Sequence, residues 1–232
     1  MKSNTVQVIS SMATRQLLGD LVKAYRWVAP ECDIQVESVG GVDAAKRVRA
    51  GEAFDVVALA SGALAELETA GHVRAGSRVD IVRSGVAAAV REGAPVPAMQ
   101  TEAQLKDSVL AARTLGYSTG PSGVQLVKLF ERWGIAEAVN AKIVQAPPGV
   151  PVAKLIAQGE VELGFQQLSE LMGVPGIRIV GPLPDAVQIV TVFSAAVATS
   201  AREPLAAAAW LQFLASPQTA AIKQHNGMEP AT

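Results

Sequence analysis

The sequence predicts a two-lobed α/β protein, each lobe a mostly parallel sheet flanked by helices, with two crossings of the chain between lobes. Three observations lead there. First, "LVKAYRW" (21–27) reappears as "LVKLFERW" (126–133), and "AKRVRAGE" (45–52) reappears as "AKLIAQGE" (153–160), at offsets of 105 and 108 residues. Second, apolar runs of strand length alternate with stretches whose apolar residues recur at helical spacing, the pattern of strand–helix–strand units. Third, the connections are short and rich in Gly, Pro and Ser, which leaves no room for anything but direct packing of helices on parallel strands.

In the first copy, a strand over 6–9 is followed by the turn "SSMAT" and a helix reaching about residue 27. Leu17, Leu18, Leu21, Val22 and Tyr25 give that helix one apolar face. A strand over 34–38, the turn "VGGVD", a helix over 43–50 stopped by Gly51 and a strand over 54–59 complete the copy. The second copy runs from a strand over 114–117 through the turn "STGPSG" to a helix over 122–133, stopped by Gly134. Val124, Leu126, Val127, Leu129 and Phe130 are its apolar residues. A strand over 141–144, the turn "APPGVP", a helix over 151–158 stopped by Gly159 and a strand over 161–165 follow. Between the copies, residues 78–93 read as two consecutive apolar runs. Near the end come a long strand over 187–198, a helix over 204–214 and a last helix after Ser216-Pro217. Crossings are expected at about 80–85 and 188–194, giving one lobe of 1–82 plus 192–232 and another of 83–191.

Composition narrows the function classes. Half of the 232 residues are apolar, ample for a buried core, and 20 basic residues nearly balance 21 acidic ones. No block of like charge exceeds two or three residues, so neither nucleic acid nor an anionic membrane surface is an expected partner. No apolar run approaches the roughly 20 residues of a membrane span, so no membrane insertion is expected. Cys32, the lone cysteine, rules out an internal disulfide and reads as a small core residue. His72 and His225 have no Cys or carboxylate at metal-ligand spacing, and no nucleophile elbow, Walker loop or zincin motif occurs. No cofactor and no metal are therefore implied. The start "MKSNTVQVIS" passes directly into a strand pattern. That places the protein in the cytoplasm if Met1 is the native start, and in the periplasm if a signal peptide was removed.

In open parallel sheets ligands bind beyond the carboxyl ends of the strands. Those ends here carry small hydroxyl and glycine turns: Ser10 and Ser11, Gly40 and Gly41, and "GYSTGPSG" with Ser118, Thr119, Ser122 and Gly123. Turns that open helices present free N–H groups and a positive dipole end to an anion. Each has a plainer role as well. Ser118, Thr119 and Ser122 serve equally as helix caps, and Gly40-Gly41 as a turn needing positive φ. Arg15 suits either the surface or a bidentate grip on a ligand carboxylate.

The order of these motifs resembles the type II periplasmic solute-binding proteins, specifically the molybdate-binding group of ABC transporters, over nearly the whole chain. The strand ending in "SSM", "RAGEAFDVVALAS", "GEVELGFQQLSEL" and the closing "WLQFLASPQTAAIKQHNGMEP" carry the resemblance. It implies a small anion held without formal positive charge in a cleft between the lobes, by Ser10, Ser11, Gly40, Gly41, Ser122, Gly123, Val150 and Gln167. It also implies a monomer, served by a transporter permease if exported. The second turn has "GG" where that group has a serine run, and Gln166-Gln167 stands where it has a tyrosine. These departures favour an organic acid or atypical oxyanion over molybdate. The alternative is catalytic: some relatives of the group resemble aconitate isomerase, which shifts a double bond in a small tricarboxylate by proton abstraction and return. Asp43 and Glu170, beside predicted turns, are the candidate bases.

Overall fold

Each copy of the repeat folds around a parallel three-stranded core, with the strand that opens the copy in the middle. The computed structural model describes residues 4–147 and 149–231; Pro148 of the "APPGVP" turn lies outside them. The chain divides into two units, Met1–Arg83 with Val192–Thr232, and Ser84–Thr191.

The first unit opens with β1 (Asn4–Ser11), a 3-10 turn over Met12–Thr14 and α1 (Arg15–Tyr25). Then come β2 (Cys32–Val39), α2 (Gly41–Arg49), β3 (Val56–Ala60) and α3 (Ser61–Thr69). β4 (Val79–Arg91) carries the chain into the second unit, which continues with α4 (Glu102–Ala111), β5 (Leu115–Ser118), α5 (Pro121–Arg132) and α6 (Ala136–Asn140). β6 (Ile143–Ala146), α7 (Val152–Gln158), β7 (Leu163–Gln167), α8 (Leu168–Leu171) and β8 (Ile177–Pro182) follow. β9 (Val190–Val197) returns the chain to the first unit, which ends with α9 (Pro204–Ala215), α10 (Ala220–His225) and the short β10 (Glu229–Pro230).

In the first unit the strand order is β2-β1-β3-β9, parallel except for the last pair. In the second it is β6-β5-β7-β4, again parallel except for the last pair, with β8 antiparallel on β4. The internal repeat is thus structural: the same order and the same sense of strands occur twice. Each sheet has an apolar cluster on either face. One face of the first sheet buries Leu17, Leu18 and Leu21 of α1 against Val6, Val8 and Trp210. Burial of each such leucine contributes about 1.5–3 kcal/mol. Tyr25, Trp210 and Phe213 meet there with ring centroids 4.9–5.6 Å apart. The other face carries Ala44, Ala45 and Val48 of α2. In the second unit α5 supplies Leu126, Leu129 and Phe130 to one cluster, and α7 supplies Val152, Leu155 and Ile156 to the other.

Several bounds differ from those expected, each for a local reason. The two apolar runs over 78–93 are one strand, β4. At Gly85, within it, a Cβ would sit 3.3 Å from the Gln188 amide, and Gln188 Oε1 accepts from the Val86 N–H. β7 starts two residues late because the left-handed cap at Gly159 (φ +80°) lets Val161 N–H bond back to Leu155. The last strand begins at Val190, since Asp185–Val187 forms a 3-10 turn. β3 starts at Val56 because Asp55 faces inward as an acceptor. Its carboxylate takes N–H groups from Gln7, Arg202 and Glu203, tying β1 to the entry of α9. Sequence reading missed α3 and α4, which bury only Leu64 and Leu67, and Leu105 and Val109. Two buried residues are too few for periodicity to register.

Candidate functional site

The carboxyl ends of β1, β2 and β3 meet at one edge of the first sheet. Ser10 and Ser11 lie within β1 itself, on opposite faces of the strand. Both are buried, but their hydroxyls differ. Ser10 Oγ lies 2.7 Å from Ser38 Oγ on β2, so its bond is already made. Ser11 Oγ is buried and has no partner among the described residues. The Ser11 carbonyl accepts from Thr14 Oγ1 at 3.1 Å across the 3-10 turn. Beside it α2 begins with no side-chain cap. Gly40 has φ −54°, ψ 136°, and neither it nor Gly41 has positive φ, which excludes the plain turn reading of this pair. A Cβ on Gly41 would stand at ordinary contact, 3.7 Å, from Ser11 Cβ. Nothing in the protein therefore forbids a methyl group at Gly41. What glycine achieves is open space next to an unpaired hydroxyl at an uncapped helix start. Arg15, at the first position of α1, is exposed.

In the second unit β5 ends at Ser118, and Thr119-Gly120 leads into α5 with Pro121 at its first position. The cap residue is Gly120, and no side chain caps this helix. The capping role expected of Ser118, Thr119 and Ser122 is corrected accordingly. Ser118 and Thr119 are half-buried and Ser122 is buried. Gly123 has a packing role: a Cβ would overlap the Ser118 carbonyl and press on the Tyr117 ring, so glycine is what lets α5 lie against the end of β5. Val150 is half-buried, and its N–H is spent on the Pro147 carbonyl at 3.0 Å.

β7 ends in Gln166 and Gln167, both buried and pointing to opposite faces. Gln167 Nε2 donates to Thr191 Oγ1 at 2.9 Å, while Gln167 Oε1 has no partner among the described residues. A hydroxyl donates as readily as it accepts, so whichever way this amide is turned, one end is left over. Gln166 Nε2 donates to Glu170 Oε1 at 2.9 Å across the junction of β7 and α8, and Gln166 Oε1 is left over in the same way. Burial raises the Glu170 carboxyl from its ordinary 4.5 to about 7, and the Gln166 amide only partly opposes this. The other candidate base, Asp43, is half-buried in the first turn of α2. Sequence reading noted Glu170 only as lying near a turn. Its pairing four residues back, across a strand–helix junction, gives no periodic signal.

The structure thus brings together Ser11 with Gly41 in one unit, and in the other Ser118 with Gly123 and Gln166 with Glu170. Among the described residues no cluster of His, Cys, Asp and Glu is suited to a metal.

Residues 6–229 match the family model of bacterial extracellular solute-binding proteins. An aconitate isomerase from Pseudomonas sp. is 38% identical over 231 residues, covering 97% of this chain and 88% of that protein. Among solved structures, the periplasmic molybdate-binding protein of Azotobacter vinelandii superposes with TM-score 0.82 at 18% identity, over 98% of this chain and 100% of that one. The sulfate-binding protein SubI of Mycobacterium tuberculosis H37Rv gives 0.78 at 16% identity, over 98% and 87%. At such identities these two likenesses speak to fold alone.

The raised Glu170 carboxyl sets a pH dependence of stability. Between its ordinary value and about 7 the folded chain holds a proton that the unfolded chain has released. Stability contributed by this group is therefore full below about 4.5 and is lost as pH rises through 7. Thermal unfolding should show the wild-type midpoint falling between pH 5 and 8 relative to Glu170→Gln, and a parallel pair of curves would contradict this.

Proposed function

The chain belongs to the bacterial extracellular solute-binding proteins, and from that footing we propose that it binds a small organic polycarboxylate of the size and charge of aconitate. The observation that carries the reading is that each unit has buried side chains with a polar atom left unpaired at the carboxyl end of a strand, Ser11 in the first and Gln166 and Gln167 in the second. A buried hydroxyl or amide end without a partner costs about 1–3 kcal/mol. That cost is offset when a guest supplies the missing bonds. The uncapped starts of α2 and α5 add N–H groups and positive dipole ends, which favour carboxylates without a formal countercharge. Amide side chains add what a purely hydroxyl-lined site lacks: each can donate or accept, so ionised and protonated carboxyl groups are both matched. On this reading the protein works as a monomer outside the cytoplasm and delivers its ligand to an ABC transporter permease.

A second reading is favoured by one specific finding, the full-length likeness to an aconitate isomerase. Here the bound tricarboxylate is not only held: its double bond shifts to the neighbouring carbon pair, with no cofactor, and no transporter need be involved.

The first test is a thermal-shift series with trans-aconitate, cis-aconitate, citrate, tricarballylate, molybdate and sulfate. The carboxylates should raise the midpoint, by about 2.7 kcal/mol of added stability at a hundredfold excess over Kd. A rise with molybdate or sulfate alone would end the polycarboxylate reading, and consumption of trans-aconitate would select the isomerase.

Two substitutions test the placement of the ligand. Ser11→Ala and Gly41→Ala should each leave stability unchanged or raise it by up to about 1 kcal/mol, because one removes an unpaired buried group and the other stiffens the chain at a compatible backbone. Each should weaken binding of trans-aconitate by about tenfold or more in calorimetric titration; unaltered affinity in both would move the ligand elsewhere.

A further inference from the structure

The two copies of the repeat differ sharply at one place. β3 and β7 are both five residues long, lie in the same position in their sheets, and run directly into a helix. Their registers also correspond: Val56 pairs with Val8 of β1 as Leu163 pairs with Leu115 of β5. Counting from these strand ends, Leu59 of the first copy stands where the second has Gln166, and Ala63 stands where it has Glu170. Leu59 and Ala63 both belong to one apolar cluster of the first unit. In the second unit the equivalent cluster is also apolar, formed by Ala87, Ala89, Val152, Ile156 and Leu171. On the face of β7 that Gln166 shares with Gly164, against which Ile156 and Val152 pack, the chain sets an amide hydrogen-bonded to a half-buried carboxyl at the start of α8.

The fold does not require that polar pair, because the sister copy builds the same junction without it. An amide and a carboxyl in such surroundings lower stability relative to Leu and Ala. Their presence asks for a role beyond packing. We propose that Glu170 is the group that removes and returns the proton in an allylic double-bond shift of the bound tricarboxylate, with Gln166 as its positioning residue. This rests on the isomerase reading above. In the step, the Glu170 carboxylate takes a proton from the methylene carbon next to the double bond. The C–H electron pair becomes the new C=C bond, and the old π pair moves onto the former vinylic carbon, spread into its carboxylate. Glu170 then gives its proton to that carbon, so atoms and charge balance and no oxidant or reductant enters.

Gln166 suits both halves of this cycle. Toward the ionised carboxylate it donates through Nε2, as the structure shows. Toward the protonated acid it can accept through Oε1, the atom now without a partner. A raised carboxyl, near neutrality rather than near 4.5, is the condition for a side chain that must both take and give a proton at physiological pH. Burial raises it and the Gln166 bond acts against that, and no neighbouring charge among the described residues holds the carboxyl in one state.

The experiment uses the full chain and three proteins: wild type, Glu170→Gln, and the double variant Gln166→Leu/Glu170→Ala, which restores the residues of the first copy. Affinity for trans-aconitate is measured by calorimetric titration, and turnover by proton NMR in D2O, where a proton carried back by Glu170 leaves the product with less than one deuterium per turnover. Wild type should bind, convert trans- to cis-aconitate and keep part of the abstracted proton in the product. Glu170→Gln should bind within about threefold of wild type, yet lose turnover by about a hundredfold or more. The double variant should unfold at a higher temperature than wild type and be inactive, whereas a merely structural pair would lose stability on removal. Turnover in Glu170→Gln within threefold of wild type would overturn the assignment while leaving the isomerase reading intact. Wild type that binds trans-aconitate without converting it would remove the isomerase reading and this proposal together, and wild type that does neither would remove the polycarboxylate reading as well.

Discussion

The feature on which the rest depends is that helices following the parallel strands begin without side-chain caps. α2, α3 and α5 all start directly beyond a strand's carboxyl end, and none receives a hydrogen bond from a capping side chain. The chain can build caps elsewhere. α4, a connecting helix, has a full capping box between Thr101 and Gln104, and the entry to α9 is held by the Asp55 carboxylate. A missing cap typically costs about 1 kcal/mol. α6 and α10, which do not follow a strand, lack a side-chain cap as well, so what sets the strand-end starts apart is the unpaired buried group beside them, as Ser11 Oγ is beside α2. An anion is the natural guest there, since N–H groups and the dipole act together.

The side chains near those helix starts follow the same logic. Ser11 and Ser10 are neighbours with identical chemistry, but only Ser11 has its hydroxyl unspent. Gln166 and Gln167 are buried and half-satisfied. Three of the five buried side chains with an unpaired polar atom among the described residues thus lie at strand ends. Trp210 Nε1 and Ser84 Oγ are also unpaired. Nothing in the structure explains these two.

Much of this was legible in the sequence. The doubled strand–helix plan, the parallel sheets and the family all followed from repeats, periodicity and the order of short motifs, because those depend on the spacing of residues along the chain. The strand-end turns were legible for the same reason. What could not be read was the state of each group within a turn. Ser38 is 28 residues from Ser10, and no local pattern says which of two adjacent serines it will engage. The glycines looked alike, yet Gly123 is there for the Ser118 carbonyl and Gly41 for open space. Arg15 drew attention by its place after a turn, but its side chain is exposed. Glu170 was visible only as an acid near a turn. Its burial and its bond to Gln166 belong to tertiary packing.

The two copies of the repeat diverge at one strand–helix junction. Two copies of one plan share strand order, helix faces and glycine stops, and diverge where Leu59 and Ala63 give way to Gln166 and Glu170. Local rules for stability are obeyed in one copy and broken in the other. Breaks of that kind are expected at working sites.

The central claim is that the unpaired groups at the strand ends exist to bond a polycarboxylate. Its most direct test is a crystal structure grown with trans-aconitate. The account predicts carboxylate oxygens within hydrogen-bond distance of Ser11 Oγ and the backbone N–H groups at the start of α2. Density for the ligand at any other surface, or those same groups bonded to ordered water with the ligand elsewhere, would contradict it.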